Sequence, residues 1–138
     1  MNDSQALFIR ETYEYALHKI PQAAHVLFQK LIELSPESER FFQNSSGQQR
    51  QAMLQAAIHK IVGSVENWEK TKPELELIAA QHINYGLRPE HIAYFGQSFI
   101  YMMQHIFDRD WNNELEDAWR AIYQRIAEVM INVVFWGR

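Results

Sequence analysis

The sequence predicts an all-α domain, and three observations support this. Apolar residues recur at helical spacing along nearly the whole chain. The composition is that of a globular protein, with 47% hydrophobic and 22% charged residues and only 5 Gly and 4 Pro. A chain of 138 residues is long enough to bury one core and enclose a small cofactor. We therefore predict seven or eight helices packed into a single domain over residues 1–138.

Three segments are predicted before residue 44. Asn2-Asp3-Ser4 can cap a first helix. Pro21 suits the first turn of a second helix, which runs to Leu34. Ser35-Pro36 then starts a short third segment that ends near Phe41-Phe42.

Two helices are predicted in the middle of the chain, after a loop at Asn44-Ser45-Ser46-Gly47. Ser46 with Gln49 has the form of a capping box at the start of the first of them. Pro73 begins the second, and Tyr85-Gly86 ends it. The apolar stripe of the first helix comprises Met53, Leu54, Ala57, Ile58, Ile61, Val62 and Val65.

The last third of the chain predicts two long helices separated by a turn from Asp108 to Asn113. Arg88-Pro89-Glu90 starts the first of them. Its stripe is Ile92, Phe95, Phe99, Met103 and Ile106, and that of the final helix is Trp119, Ile122, Tyr123, Ile126, Met130 and Val133.

Charge and composition exclude several classes of function. The formal charge of -4 and the scattered Lys and Arg argue against a nucleic-acid binder. The absence of cysteine excludes disulfides, thiolate zinc sites and iron–sulfur clusters, and it suits a reducing cytoplasm. No apolar run approaches the roughly 18 residues of a membrane span, and the N-terminus lacks the features of a signal peptide.

Histidine is the most informative residue type, since one imidazole suffices to hold a haem iron. Of six histidines, His82 shares a helix face with Leu75 and Ile78 and therefore points towards the core. The alternative for any of the six is a half-exposed side chain that bonds to backbone or water. The aromatic residues allow two interpretations as well, because rings at such spacing line pockets but more often simply fill a core.

Several segments, taken in order, resemble the globins of bacteria that are related to flavohaemoglobins. The stretch from His82 to His91 is similar to the helix that carries the iron ligand and the corner after it. Val65-Glu66-Asn67-Trp68 is similar to the end of the distal helix of that family. The other matching stretches are Leu27-Phe28, Ser35-Pro36, Arg40-Phe41-Phe42 and Ala118-Trp119-Arg120-Ala121-Ile122-Tyr123.

The resemblance implies a globin fold around haem b (iron protoporphyrin IX), with His82 as the iron ligand. Phe42 matches the aromatic residue that wedges the haem, and Tyr123 matches a tyrosine that faces the proximal pocket. No Cys-x-x-Cys-His is present, so the haem is expected to be held non-covalently. The complete predicted haem site is Phe28, Phe42, Gln49, Arg50, Met53, Leu54, Ile78, His82, Ile92, Phe95 and Tyr123.

Three departures from the family pattern bear on the chemistry. Phe28 stands where these globins typically have a tyrosine that donates to the bound gas. Ile92 and Val134 stand where a tyrosine and a glutamate polarise the ligand histidine. We therefore expect His82 to stay a neutral imidazole that donates to a backbone carbonyl near Ile78.

The distal side allows two registers that differ by one residue. If the distal helix of the family is matched backwards from its end at Val65 without a gap, Arg50 lies at the gas-facing position and Leu54 lies one turn further on. Matching the start of the helix instead puts Gln49 there and Met53 above the iron. Since Phe28 cannot donate, one of these two polar residues must supply any hydrogen bond to the gas.

The resemblance favours reversible binding of oxygen, carbon monoxide or nitric oxide, as carrier, store or buffer. One alternative is a nitric-oxide dioxygenase or peroxidase-like enzyme with a separate reductase. Another is a gas-sensing or haemless module that acts through protein contacts. A homodimer is left open, and neither a nucleic acid nor a membrane is an expected partner.

Overall fold

The computed structural model describes residues 3–43, 46–82 and 86–136, without the side chains of residues 5, 6, 13 and 136. Every regular element within these ranges is a helix, as the sequence predicted. The α-helices are α1 (Asp3–Leu34), α2 (Gly47–Gly63), α3 (Trp68–Gln81), α4 (Pro89–Phe107) and α5 (Asn113–Ile131). Two 3₁₀ helices (Pro36–Phe42 and Asp108–Asp110) and a π-helical turn (Asn132–Trp136) complete them.

The core lies where α1 packs on α4, with α5 against α4 and α2 against α1. Leu27, Ile58, Phe99 and Trp119 are fully buried there. The rings of Phe99 and Trp119 meet edge to face with centroids 6.1 Å apart. α2 and α3 each contact α5, but α2 and α3 have few close backbone contacts with each other. This packing leaves room for a cavity between α2 and α3.

Two predicted helix starts at proline are wrong. α1 continues through Pro21, because Ile20 and Ala23 on either side are buried in one core and packing outweighs the lost hydrogen bond. α3 begins at Trp68 instead of Pro73, because the Asn67 side chain caps it by accepting from the Lys70 amide at 3.2 Å.

Two other predicted boundaries, the end of α3 and the turn before α5, also differ from the structure. α3 ends at Gln81 with His82 as its C-cap, earlier than Tyr85-Gly86, of which Tyr85 lies outside the described residues. The predicted turn from Asp108 contains a 3₁₀ helix and is shorter, because the Asn112 side chain caps α5 from Asn113 onward.

Other local predictions are confirmed. Ser46 and Gln49 form the predicted capping box, at 3.1 Å and 2.7 Å. Pro89 is the first residue of α4. Ser46 precedes α2 directly, whereas Asn44 and Ser45 of the predicted loop lie outside the described residues. None of the helices in the described ranges is long and apolar enough to cross a membrane.

Candidate functional site

A cavity of about 280 Å³ lies between α2, the end of α3 and the start of α4. α5 and the first 3₁₀ helix also contribute residues to its lining. Its lining is mostly apolar. The predicted site residues that line it are Phe42, Met53, Leu54, Ile78, His82, Ile92, Phe95 and Tyr123. The lining residues that were not predicted are Leu31, Ser38, Phe41, Ala57, Lys60, Ile61, Leu75, Leu87, His91, Ile126 and Met130.

His82 enters the cavity from the C-terminal end of α3. Its backbone (φ -92, ψ -2) is still near-helical, and its amide donates to the Ala79 carbonyl at 3.0 Å. The imidazole Nδ1 lies 2.7 Å from the Ile78 carbonyl oxygen, the hydrogen bond that the sequence predicted. A carbonyl only accepts, so Nδ1 carries a proton, and in the neutral imidazole Nε2 then carries the lone pair. Nε2 is then the nitrogen that can bind a metal ion.

α2 supplies an apolar surface on its side of the cavity. Leu54 is 2% exposed, whereas Met53, also in the lining, is 49% exposed. Lys60 is the cationic residue of this lining, and its Nζ donates to Glu74 on α3 at 2.5 Å. This ion pair connects α2 and α3, which otherwise have few close backbone contacts.

Three predicted residues lie outside the lining of this cavity. Gln49 is exposed, and its side-chain carbonyl accepts from the Ser46 amide in the capping box. The Arg50 guanidinium lies over the Phe28 ring, 4.0 Å from its centroid. Phe28 in turn packs edge to face against Phe42, which does line the cavity, with centroids 5.4 Å apart. Arg50 and Phe28 therefore lie next to the cavity, and Gln49 faces solvent.

Tyr123 is fixed in the lining of the cavity. Its hydroxyl donates to the Ile92 carbonyl at 2.6 Å, and burial raises the pKa of this hydroxyl well above its usual range. Its ring stacks on Phe95 and on Phe99, with centroids 6.3 Å and 6.0 Å apart. Gly96 permits this packing, because a Cβ there would overlap the Tyr123 ring. Tyr123 is therefore neutral and rigidly held.

The two positions that the sequence analysis matched to a tyrosine and a glutamate of the family are apolar and buried. Ile92 is 6% exposed and Val134 is 1% exposed. Neither side chain can accept a hydrogen bond from His82. The acceptor for His82 Nδ1 is the backbone carbonyl of Ile78.

The family model described as Globin matches residues 11–130 of the chain. The chain belongs to the globin family. It is 30% identical over 107 residues to the flavohaemoprotein of Bordetella parapertussis, a match that covers 75% of this globin and 26% of that protein. The flavohaemoprotein of Chromobacterium violaceum is 24% identical over 119 residues. The globin thus spans about a quarter of the length of the curated relatives that it matches.

Solved globin structures have the same fold. A bacterial globin from Campylobacter jejuni superposes with a TM-score of 0.81 at 18% identity, covering 96% of each chain. A flavohaemoglobin from Malassezia yamatoensis, solved with FAD and haem, gives a TM-score of 0.82 at 15% identity over 97% of this globin and 36% of that chain. At these identities the likeness concerns the fold.

The residues of this globin fit a haem. A porphyrin needs a mostly apolar cleft and one axial nitrogen, and the cavity provides both. Phe42 and Phe95 offer flat apolar surface, and His82 offers a nitrogen with the correct tautomer. The Tyr123 hydroxyl donates to the Ile92 carbonyl, so its polar group is already paired and would not have to face the apolar porphyrin.

The sequence interpretation missed a polar cluster next to the cavity. Glu37, Arg88 and His91 meet there, with His91 in the cavity lining. Arg88 and His91 are three residues apart at a helix start, and this spacing could have pointed to a cap. Their contact with Glu37 joins residues more than 50 positions apart, which no local pattern indicates.

Proposed function

We propose that this globin holds haem b in the cavity, with His82 as the proximal ligand, and that it binds a diatomic gas reversibly. The observation that carries the proposal is the hydrogen bond from His82 Nδ1 to the Ile78 carbonyl in the wall of an apolar cavity. It fixes the ring and directs the lone pair of Nε2 away from that carbonyl. Haem, held there by His82 and the apolar lining, would supply an iron that can bind the gas.

The distal residues support reversible binding. Leu54 is buried in the lining, and Phe28 packs against Phe42 of the lining, so the side chains at these positions are apolar. The position of Arg50 over Phe28 and the use of Gln49 in the cap favour the first of the two registers. We infer that Arg50 is the residue of this pair that donates to the gas, which requires its guanidinium to leave the Phe28 ring. Oxygen, carbon monoxide and nitric oxide all fit such a pocket.

A second candidate is turnover as a nitric-oxide dioxygenase or peroxidase-like enzyme with a separate reductase. The flavohaemoprotein relatives favour it. The apolar side chains of Ile92 and Val134 count against it, because a carboxylate partner is what makes a ligand histidine strongly electron-donating. A haemless module is the weaker alternative, since bulky side chains do not fill the cavity. The absence of cysteine supports the cytoplasm as the compartment.

Absorption spectra of the purified protein test the proposal in its ferric form, reduced, and reduced under carbon monoxide. We expect an equimolar haem b, extractable by acid and butanone, and a reversible carbon monoxide complex. Protein that shows no Soret band when produced or reconstituted with excess haem would overturn the proposal. Rapid, sustained nitric-oxide consumption with an added reductase would favour the enzymatic candidate instead.

A further inference from the structure

A buried histidine next to the cavity is paired on both ring nitrogens. His91 Nδ1 accepts from the Arg88 amide at 3.0 Å, and Nε2 donates to Glu37 Oε1 at 2.5 Å. The Arg88 guanidinium donates to the same Glu37 oxygen at 2.5 Å. The His91 side chain is 2% exposed, whereas the Glu37 side chain is 45% exposed.

The protonation states follow from this pattern. An imidazole nitrogen that accepts from an amide has no proton, so the proton of a neutral His91 is on Nε2 and points at Glu37. The hydrogen bonds from His91 and then Arg88 hold the pKa of the Glu37 carboxyl below its usual value. Because both nitrogens of His91 are engaged, His91 is not suited to bind iron.

The cluster joins two segments that are distant in sequence. Glu37 lies on the first 3₁₀ helix, which carries Phe41 and Phe42 in the cavity lining. Arg88 and His91 lie in the segment 86–91, which follows His82 in the chain and precedes the body of α4. Phe41 packs its ring against His91, edge to face, with centroids 5.2 Å apart.

A second polar contact runs in parallel. Arg40 Nη2, also from the first 3₁₀ helix, donates to the Gly86 carbonyl at 3.3 Å. Gly86 has a φ of +72, a conformation that glycine adopts at little cost. Glu90 pairs with the Arg88 Nε at 3.1 Å on the outer side of the cluster. Two links thus connect the same two segments, one at each end of 86–91.

We propose that Glu37 and His91 are positioning residues that clamp the first 3₁₀ helix to the segment 86–91. The clamp holds together two parts of the cavity wall, the one that carries Phe41 and Phe42 and the one that follows His82. It thereby slows the release of the group bound at His82. This inference rests on the proposed function, but the contacts of the clamp join residues of the chain alone and need no bound group.

The test compares Glu37→Ala with Glu39→Ala, which removes an exposed carboxylate from the same 3₁₀ helix. Haem loss is followed as transfer to excess apomyoglobin. We expect Glu37→Ala to release haem about tenfold faster than wild type, the scale of one lost charge-assisted hydrogen bond. Glu39→Ala should release haem at the wild-type rate. His91→Gln, which can keep a donor towards Glu37, should lie between wild type and Glu37→Ala.

A second readout needs no haem. The Arg88 and His91 amides form hydrogen bonds within the segment, to His91 Nδ1 and the Arg88 carbonyl respectively, so their exchange can be followed in protein prepared without haem. Glu37→Ala should raise amide hydrogen exchange at Arg88 and His91, while amides in the buried part of α4 near Phe99 keep their protection. A merely global loss of stability would raise exchange at both places.

The outcomes distinguish a failure of the proposed haem binding from a failure of the clamp. If wild type takes up no haem, the proposed function fails, and the exchange experiment still decides whether the clamp exists. If wild type binds haem but Glu37→Ala and Glu39→Ala match in haem loss and in exchange at Arg88 and His91, the clamp is wrong. Should Glu37→Ala not fold, Glu37→Gln and His91→Gln are compared with Glu39→Gln by the same two measurements.

Discussion

His82 Nδ1 lies 2.7 Å from the carbonyl oxygen of Ile78, one helical turn earlier on α3. His82 lines the cavity and also has a backbone acceptor for its ring. This hydrogen bond fixes the tautomer and the plane of the imidazole. It also limits the electron donation of His82, because a backbone carbonyl is a much weaker acceptor than a carboxylate. The first two predictions follow from this pair of residues.

Replacement of His82 by Ala should weaken haem retention and abolish the normal spectrum of the reduced protein, because the axial nitrogen is lost. Haem titration of the apoprotein and the reduced spectrum measure both effects. The matched control is His105→Ala, which removes an exposed histidine at the end of α4 and should leave both properties nearly intact. An essential His91 with a dispensable His82 would contradict the assignment.

The iron–histidine stretch should be that of a neutral imidazole, lower in frequency than in flavohaemoglobins. The reason is that Ile92 and Val134 offer no acceptor to His82, and the Ile78 carbonyl is uncharged. Resonance Raman spectroscopy of the reduced protein measures this frequency directly. A high, imidazolate-like value would mean a stronger acceptor at Nδ1 and would strengthen the enzymatic candidate.

Replacement of Arg50 by Ala should accelerate oxygen release at least several-fold, whereas carbon monoxide release should change little. A charged donor contributes about 1.5–3 kcal/mol to a hydrogen bond, and about 1.4 kcal/mol corresponds to a factor of ten in rate. Stopped-flow dissociation of both gases measures the effect. Gln49→Ala is the control, since that side chain belongs to the capping box.

Two results would revise this view of the distal pocket. If Gln49→Ala accelerates oxygen release and Arg50→Ala does not, the second register is correct. If neither substitution does, Arg50 stays on the Phe28 ring and the gas has no polar partner from this pair.

Replacement of Gly96 by Ala should lower the free energy of unfolding by about 1–3 kcal/mol, because the new Cβ overlaps the Tyr123 ring and the core is overpacked. Gly63→Ala is the matched control on α2, where an added Cβ meets nothing within 4 Å. That substitution should be neutral or slightly stabilising. Urea denaturation of the apoprotein measures both. Equal effects of the two substitutions would mean that Tyr123 moves aside without cost.

The ion pair of Lys60 with Glu74 should contribute to stability above the ordinary pKa of the carboxyl and not below it. The hydrogen bond from Lys60 lowers the pKa of Glu74 from 4.5, so the contribution is lost as the pH falls through the folded-state value. The urea midpoints of wild type and Glu74→Gln should therefore differ at neutral pH and converge in acid. Glu76→Gln, at an exposed position on α3, should match wild type throughout. A difference that persists in acid would mean that the ion pair is not its cause.

Local sequence signals placed some features correctly and others not. Ser46 and Gln49 formed the predicted capping box because such a cap needs only residues three apart. Pro21 and Pro73 did not begin helices, because the buried neighbours of Pro21 and the Asn67 cap of α3 outweighed the local preference of proline. The alternative registers of Gln49 and Arg50 could not be separated either, since both positions precede the same apolar stripe.

The sequence by itself determined the helical class, the apolar stripes that form the core, and the position of His82 with its bond to Ile78. These features depend on residues within one or two turns of each other, where periodicity and hydrogen-bond geometry act directly. Only the tertiary structure decided that Arg50 lies on Phe28 and that Glu37 meets His91. Such contacts join segments through the relative placement of whole helices, and that placement is set by the packing of the entire core rather than by any local pattern.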